Sequence, residues 1–245
     1  MTTTVSVDAS RPGARPFLTA RWTNLFLSNY AVPHDLLLSR LPPGLALDTR
    51  DGQAFVSLVC FDFLDTRVLG VPWPCYRNFP ENNLRFYVRR GDERGVVFVR
   101  EFVPQRLIAW MARTLYNERY LAADMTSAVT EQATTITVEH AIAVGGRTHT
   151  VRVVGEKPTY VPEPTAIETF FKEHQWGFGV SRGGETLRYR VWHPVWSVYP
   201  VREAHIDLDW AAVYGPEWSI LQSVDPVSTV LAAGSEIAVY PQAAP

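Results

Sequence analysis

Short runs of alternating apolar and polar residues dominate the chain, and a period of two is the signature of β-strands. These runs cover residues 16–30, 54–63, 84–90, 96–103, 134–144, 147–154, 187–193, 195–199 and 230–240. Gly145-Gly146 joins two of them, which predicts a tight β-hairpin. Helical spacing is found in residues 33–41, 104–116 and 164–174. The pattern predicts an α+β, mostly β, fold in which a strongly curved antiparallel sheet closes into a barrel or cone with a few peripheral helices.

The length and composition of the chain favour a single domain. It has 245 residues, of which 47% are hydrophobic, and no repeat, Gly/Ser tract or charge block divides it. We therefore expect one domain over residues 16–245. Residues 1–15 lack the apolar core of a signal peptide and are expected to form a disordered tail. Because no apolar run approaches the roughly 20 residues of a membrane span, a cytoplasmic location is predicted.

The charge and cysteine content narrow the classes of partner. A net charge of −2 provides no general attraction to nucleic acid or acidic membranes, so neither is a predicted partner. The two cysteines, Cys60 and Cys75, have no metal-binding spacing and are expected to be free thiols in a reducing compartment. The expected partner is a small molecule, and homo-oligomerisation is left open.

Charged residues stand out in the segment from Asn78 to Leu107, where a Gly-Asp-Glu-Arg-Gly turn connects two apolar runs. Runs of this kind are usually covered on both faces, so Glu81, Arg100 and Glu101 are expected in or near a covered region. An unpaired charge there would be costly. Two interpretations follow: a structural ion pair between strands, or a polar cluster in a pocket.

The end of this segment resembles a known enzyme family. The order Arg100-Glu101-Phe102-Val103-Pro104-Gln105-Arg106-Leu107 resembles the lysine-bearing segment of acetoacetate decarboxylases. In those enzymes both residues after the proline are lysines: the first is the Schiff-base nucleophile, and the second lowers its pKa. Here they are Gln105 and Arg106. Because Pro80-Glu81 resembles the segment with that family's catalytic glutamate, the resemblance implies the decarboxylase fold and its acid/base group without its nucleophile.

A bacterial family of unknown function, the YqjF-like proteins, is more similar still and shares that fold without the lysine. The run Pro42-Pro43-Gly44-Leu45-Ala46-Leu47-Asp48, followed by an Asp51-Gly52 turn, resembles this family. His193-Pro194-Val195-Trp196 resembles its usual His-Pro-Pro-Trp, without the middle proline. Arg21-Trp22 resembles the strand that carries the active-site arginine in the decarboxylases. The resemblance extends from Phe17 to Tyr240.

The lysines themselves argue against imine chemistry, independently of any family. A Schiff base requires an amine that burial or a neighbouring cation keeps neutral. The chain contains only Lys157 and Lys172. Lys157 lies in a Gly-Glu-Lys-Pro turn, and Lys172 is expected on the hydrated face of a helix near Glu168 and Glu173. Both amines are therefore expected to stay charged and exposed to water.

Two further motifs carry little weight. Gly179-Val180-Ser181-Arg182-Gly183 matches the Gly-x-Ser-x-Gly string of serine hydrolases, but a strand rather than a helix follows it, so a nucleophile elbow is not expected. The six histidines show no metal-binding spacing. Neither a metal nor a cofactor is predicted.

The predicted site is a cavity inside the curved sheet that binds a small molecule. Its candidate catalytic residues are Glu81, Gln105 and Arg106, and its candidate ligand-binding residues are Arg21, Tyr76, Arg100, Glu101, His193 and Trp196. Glu81 is expected to share the cavity with Arg100 or Arg106. The proline-rich loop Leu64–Phe79, which carries Trp73 and Tyr76, is expected either to cover the cavity mouth or to act as a hydrophobic plug.

Two classes of function remain open at this stage. The first is an enzyme that acts on a small oxygenated, carbonyl or carboxylate compound, with Glu81 as acid/base in lyase, dehydratase or cyclase chemistry. The second is a non-catalytic protein that binds a ligand in the same cavity.

Overall fold

The computed structural model describes residues 12–108, 110 and 120–240. The strands are β1 (Leu18–Val32), β2 (Ala46–Leu47), β3 (Ala54–Val68), β4 (Val71–Pro72), β5 (Phe79–Arg90), β6 (Glu93–Val103), β7 (Tyr120–Ala122), β8 (Asp124–Glu131), β9 (Thr135–Val144), β10 (Arg147–Glu156), β11 (Trp176–Val180), β12 (Thr186–Trp192), β13 (Val198–Tyr199), β14 (Val201–Asp207) and β15 (Ser228–Tyr240). The helices are α1 (His34–Leu38), α2 (Ile167–Lys172), α3 (Trp210–Tyr214) and a 3-10 helix (Pro216–Ser223).

Two predicted segments lie partly outside the described residues. The tail was predicted at residues 1–15, and residues 1–11 of this segment lie outside the described part of the chain. The same holds for most of the helix predicted at 104–116, of which residues 106–108 and 110 are described and helical.

Seven strands form a closed ring. Their order is β5, β3, β1, β15, β12, β11 and β6, and β6 pairs back with β5. Neighbouring strands in the ring are antiparallel except β11 and β6, which are parallel. The predicted fold, a strongly curved and mainly antiparallel sheet with few helices, is confirmed. The parallel pair was not predicted.

A close backbone approach accommodates the curvature of the ring where β1 meets β15. The register of β1 against β3 shifts between Thr23 and Phe26, and Asn24 within this bulge has a φ of 57°. Gly234 of β15 lies opposite, with a φ of 82°. A Cβ at this position would lie 2.0 Å from the carbonyl oxygen of Trp22, so only glycine fits. The bulge bends β1 around the interior of the ring.

A second, four-stranded sheet covers part of the outside of the ring. Its order is β14, β10, β9 and β8, with antiparallel pairs throughout. Ile136 and Val138 of this sheet share a buried cluster with Leu58 of β3. The next residues along β3 that face the opposite side, Val59 and Phe61, belong to a separate cluster inside the ring. This coverage on both faces explains the nearly continuous apolar runs of the ring strands.

Helix α2 is shorter and more buried than its sequence pattern predicts. It spans Ile167–Lys172, and its two phenylalanines belong to the cluster inside the ring. Lys172 is only 1% exposed and forms a buried ion pair with Glu173. The prediction that Lys172 and Glu173 lie on a hydrated face is therefore wrong. The segment after β12 covers that face, and its Trp196 backbone N–H donates to Glu173 at 3.4 Å.

The segment predicted as the loop Leu64–Phe79 is partly a β-hairpin. Strand β3 continues to Val68, and Val71–Pro72 pairs back with it as β4. Arg77 and Asp65 form an ion pair of 2.8 Å across the base of the hairpin. The prolines lie at its short returning strand and beyond, where a missing ladder N–H is tolerated.

Several simpler predictions agree with the structure. The Gly145-Gly146 turn joins β9 and β10, and the backbone at Asp51 and Gly52 turns with positive φ. Ser181 caps a turn between β11 and β12, where its Oγ accepts from two backbone N–H groups at 3.1 and 3.2 Å. Lys157 forms a surface ion pair with Glu131 at 2.7 Å. In the part of the chain that the structure describes, no helix is long and apolar enough to cross a membrane.

Candidate functional site

The interior of the ring contains a cavity of about 220 Å³. Its apolar and aromatic lining consists of Phe17, Leu18, Trp22, Leu25, Val59, Phe61, Phe63, Val68, Trp73, Tyr76, Phe79, Phe98, Leu107, Ile108, Val191 and Val239. Its polar lining consists of Thr66, Glu81, Asn83, Arg85, Glu101, Tyr120 and Tyr189. Since a water molecule takes up ~30 Å³, the space suits a small ligand. An apolar wall with a few convergent polar groups is typical of a ligand-binding site.

Strand β5 contributes a row of polar residues to the cavity. Successive side chains of a strand point to opposite faces, so Glu81, Asn83 and Arg85 share the inner face. Leu84 points outwards, into the cluster between the ring and the second sheet. The two-residue spacing of Glu81, Asn83 and Arg85 is visible in the sequence. Of the three residues, only Glu81 was predicted as a site residue.

Glu81 is a buried carboxyl group with both oxygens hydrogen-bonded. Asn83 Nδ2 donates to its Oε1 at 3.0 Å, and the Tyr120 hydroxyl donates to its Oε2 at 3.0 Å. Burial raises the pKa of Glu81 to about 7, although these two hydrogen bonds and the charge of Arg85 act to lower it. This raised pKa lies near neutral pH, which suits a residue that both accepts and donates protons.

A second carboxylate, Glu101, lies on the neighbouring strand. It pairs with Asn83 across the β5–β6 ladder and with Tyr120 across the β6–β7 ladder, and it is 1% exposed. Burial raises the pKa of Tyr120 well above its ordinary value, and the negative charges of Glu101 and Glu81 raise it further. Tyr120 therefore keeps its hydroxyl proton and acts as a neutral donor between two acidic residues.

Arg85 is the sole cation among the described residues that line the cavity. One terminal nitrogen, Nη2, donates to the carbonyl oxygen of Phe171 at 3.2 Å, and the guanidinium group lies 5.8 Å from the ring centre of Tyr87. These contacts hold the side chain against α2. Arg85 thus lies in the cavity, where Arg100 or Arg106 was expected.

Arg100 does not reach the cavity. Its Nη1 donates to the carbonyl oxygen of Val213 in α3, outside the ring. The β5–β6 register shifts at this point, and Glu101, the next residue, faces inwards. Because adjacent strand residues point to opposite faces, Arg100 and Glu101 could not both line the cavity. The expectation that Glu81 and Arg100 converge is wrong.

Gln105 and Arg106 also lie outside the cavity lining, and Arg106 is exposed. Leu107 and Ile108, which follow them at the beginning of the helix, line the cavity instead. The alternative expectation, that Arg106 converges with Glu81, is therefore wrong as well. At the positions that resemble the lysine pair of the decarboxylases, this chain presents no polar side chain to the cavity.

Of the remaining candidates, Arg21 is exposed, whereas the next residue, Trp22, lines the cavity. His193 and Trp196 lie behind Trp22: their rings stack at 3.9 Å, and the Trp196 ring centre is 6.2 Å from that of Trp22. Burial lowers the pKa of His193 to about 4, so this imidazole is neutral at pH 7. His193 and Trp196 therefore support the cavity wall without forming part of it.

Tyr76 lines the cavity, as does Trp73 from the same segment, and Trp73 remains 41% exposed. This partial exposure places Trp73 where the cavity meets solvent. Among the described residues, no group of three His, Cys, Asp or Glu side chains lies close enough to hold a metal ion.

Solved structures of similar fold include several enzymes. An acetoacetate decarboxylase-like enzyme from Sphingomonas wittichii RW1 superposes with a TM-score of 0.63 at 15% identity, over 97% of this chain and 98% of the other. The acetoacetate decarboxylase from Legionella pneumophila has a TM-score of 0.62 at 14% identity, over 98% and 92%. The enduracididine biosynthesis enzyme MppR has a TM-score of 0.60 at 11% identity, over 94% and 87%. At these identities the likeness concerns the fold.

Sequence comparison identifies the family. The uncharacterized protein YqjF of Bacillus subtilis (strain 168) is 35% identical over 107 residues, which are 43% of this chain and 44% of that protein. The alignment thus spans less than half of the relative's length. The family model DUF2071, described as an uncharacterized conserved protein (COG2071), matches residues 19–236, which is most of the chain. The chain therefore belongs to the DUF2071 family and has an acetoacetate decarboxylase-like fold.

Proposed function

We propose that the protein is an enzyme that acts on a small carbonyl compound, with Glu81 as the group that transfers a proton. The observation that carries this proposal is the Glu81 carboxyl, which is buried in an apolar cavity, fixed by Asn83 and Tyr120, and has a pKa of about 7. A pKa near the working pH is the condition under which one group serves as both base and acid. Perturbed carboxyl groups in cavities are a common mark of catalytic sites.

In the proposed reaction, the Glu81 carboxylate accepts a proton from the carbon next to the substrate carbonyl. The carbon–hydrogen bond breaks, its electron pair forms a carbon–carbon double bond, and the carbonyl π electrons move to oxygen. Arg85 supplies a positive charge in the same cavity, which stabilises the resulting oxyanion. The proton on Glu81 then returns to the intermediate. Lyase, dehydratase and cyclase reactions of this type all begin with such an enolate. They differ in the bond that the enolate breaks or forms before it is protonated.

The proposed chemistry does not use a lysine imine. Lys157 is paired at the surface, and Lys172 is buried against Glu173, and neither lines the cavity. Gln105 cannot condense with a ketone, because its amide nitrogen lone pair is delocalised into the carbonyl. Arg106 stays protonated at any working pH. These features separate the proposed mechanism from the lysine-based one that the resemblance to the decarboxylases would otherwise imply.

A non-catalytic ligand-binding protein is the second candidate. The observation in its favour is that Asn83 and Tyr120 already satisfy both oxygens of Glu81, an arrangement that would hold a carboxylate passively. The two candidates differ in whether protons move.

The experiment is deuterium incorporation from D₂O next to the carbonyl of small ketones, followed by NMR in the wild type and in Glu81→Gln. The amide keeps the shape of the side chain but cannot accept the proton. The proposal expects the exchange rate to fall by about 10²–10⁴-fold in the variant, while the same ketones still raise its melting temperature. Ketones that stabilise the wild type without any exchange would identify a binding protein instead.

A further inference from the structure

Among the described residues that line the cavity, the buried polar atoms without a hydrogen-bond partner include Nε1 of Trp22, Oγ1 of Thr66, Oδ1 of Asn83 and Nε of Arg85. Asn83 and Arg85 lie in the same row of β5 as Glu81. Both residues line the cavity, and Asn83 is only 2% exposed. Buried polar groups are nearly always hydrogen-bonded in folded proteins, because an unmade bond is costly. The two atoms on β5, Oδ1 of Asn83 and Nε of Arg85, therefore indicate the polar groups that a ligand bound beside Glu81 contributes.

The orientation of Asn83 determines the first of these groups. Its Nδ2 donates to Oε1 of Glu81 at 3.0 Å, which leaves Oδ1 as an acceptor. A carbonyl oxygen can be satisfied only by a donor, such as a hydroxyl group. The ligand must therefore present an O–H or N–H group next to Glu81.

The hydrogen bond that anchors Arg85 determines the second polar group of the ligand. Its Nη2 donates to the carbonyl oxygen of Phe171 at 3.2 Å, which restricts the orientation of the planar guanidinium group. The Nε–H then requires an acceptor. A ketone oxygen meets this requirement, and it also places the carbonyl beside the positive charge that the proposed mechanism uses.

The balance of charges indicates that the ligand is neutral. The described lining contains two acidic residues, Glu81 and Glu101, and one arginine. A carboxylate on the ligand would add a further negative charge beside both glutamates and would disfavour their ionisation. Since Gln105 and Arg106 do not line the cavity, they do not compensate that charge.

The remaining lining of the cavity is mostly aromatic and aliphatic, and it favours a ligand with an apolar body. Trp22, Phe63, Trp73 and Phe79 are among its aromatic residues, and Phe63 stacks on Phe79 with ring centres 4.7 Å apart. A flat ring or a short alkyl group fits such surroundings. We propose that the ligand is a neutral carbonyl compound with a nearby hydroxyl group and a compact aromatic or alkyl body. This inference rests on the proposed function, because it takes the Glu81 cavity as the binding site.

The test is a matched series of four compounds with the same phenyl body, measured by calorimetry on the full chain. 2-Hydroxyacetophenone has the hydroxyl and the carbonyl, acetophenone lacks the hydroxyl, 1-phenyl-1,2-ethanediol lacks the carbonyl, and benzoylformate carries a carboxylate. We expect 2-hydroxyacetophenone to bind about tenfold more tightly than either partial analogue, the value of one satisfied buried hydrogen bond. Benzoylformate should bind more weakly still.

A pair of variants assigns the hydroxyl preference to one atom. Asn83→Leu removes the acceptor, so the preference for 2-hydroxyacetophenone over acetophenone should fall from about tenfold to about onefold. Asn82→Ala is the matched control: Asn82 is equally buried on the same strand but does not line the cavity, so the preference should persist. If either variant fails to fold, the four-compound series on the wild type still tests the ligand class.

Each outcome bears on the inference. Equal binding of acetophenone, or tighter binding of benzoylformate, would overturn the ligand class while leaving the cavity as a ligand site and the Glu81 exchange test untouched. Preference for the hydroxyketone without any deuterium exchange would support the ligand class and contradict the proposed catalysis. Failure of all four compounds to bind at millimolar concentration would overturn the inference together with the choice of this cavity.

Discussion

Tyr120 donates its hydroxyl proton to Oε2 of Glu81 at 3.0 Å, although the two residues belong to strands separated by β6. Asn83 holds the other carboxyl oxygen at the same distance. A buried carboxyl that is held from both sides has a fixed orientation, which is what proton transfer to a small bound molecule requires. The pKa of about 7 shows that burial outweighs the hydrogen bonds and the nearby arginine.

The first prediction concerns the pH dependence of stability. Glu81 holds its proton in the folded protein up to a pKa of about 7, whereas an ordinary glutamate has a pKa of 4.5. Between these values the folded state binds a proton that the unfolded chain has lost. The contribution of Glu81 to the free energy of unfolding therefore decreases as the pH rises from about 4.5 to about 7.

Glu81→Gln removes this titration. Relative to the wild type, the variant should gain up to about 3 kcal/mol in free energy of unfolding between pH 4.5 and pH 8, as measured by urea unfolding. The comparison is made against the wild type because His174 and His193, whose pKa values are lowered to about 4, contribute in the opposite sense. A difference between the two proteins that does not change with pH would show that Glu81 has an ordinary pKa.

The second prediction concerns the buried pair Lys172–Glu173, both of whose side chains are 0% exposed. Lys172→Met leaves the Glu173 charge buried without its partner and should cost about 3–5 kcal/mol of stability. Lys157→Met, which breaks a surface pair with Glu131, is the control and should cost about 1 kcal/mol or less. The double variant Lys172→Met/Glu173→Leu should recover much of the loss. Equal effects of the two single variants in chemical unfolding would contradict the buried pair.

The third prediction is that acetoacetate forms no imine with this protein. The wild type is treated with borohydride in the presence of acetoacetate, and its intact mass is then measured. We expect no stoichiometric adduct, because neither lysine lines the cavity. An adduct located at Lys172 would mean that the amine leaves Glu173 and reaches the ligand, and it would replace the proposed mechanism by an imine mechanism.

The fourth prediction concerns the rim of the cavity. Trp73 lines the cavity but is 41% exposed, so Trp73→Ala should weaken binding of 2-hydroxyacetophenone about tenfold with little change in stability. Leu69→Ala, on the same hairpin but outside the lining, is the control and should leave binding unchanged. Unchanged binding in Trp73→Ala would exclude a role for this side chain in holding the ligand.

Much of the fold follows from local pattern. The continuous apolar run of β3 and the Gly145-Gly146 turn indicate strands covered on both faces and a hairpin, and the structure contains both. Strands β2, β4, β7, β8, β11 and β14 were missed. Two of these, β7 and β11, pair with β6 in parallel. Such a pairing joins distant parts of the chain, so the local sequence pattern does not indicate it.

The candidate site was only partly predictable. Of the predicted site residues, Tyr76, Glu81 and Glu101 line the cavity, and the two-residue period from Glu81 would have added Asn83 and Arg85. Arg100 was misplaced because a bulge sets its direction, and bulges have no sequence signature here. The burial of Lys172 depends on a segment more than 20 residues away along the chain, so the pattern within its own helix could not show it.

The central claim, that Glu81 transfers protons within this cavity, is tested most directly by the pH dependence of deuterium exchange into a bound ketone. A base acts in its ionised form, so the rate should rise through a midpoint near pH 7, the pKa of Glu81, and then level off. Tyr120→Phe removes a hydrogen bond that favours the ionised form, so its midpoint should move upwards by about one pH unit. Exchange that is independent of pH, or that has the same midpoint in Tyr120→Phe and persists in Glu81→Gln, would contradict the account.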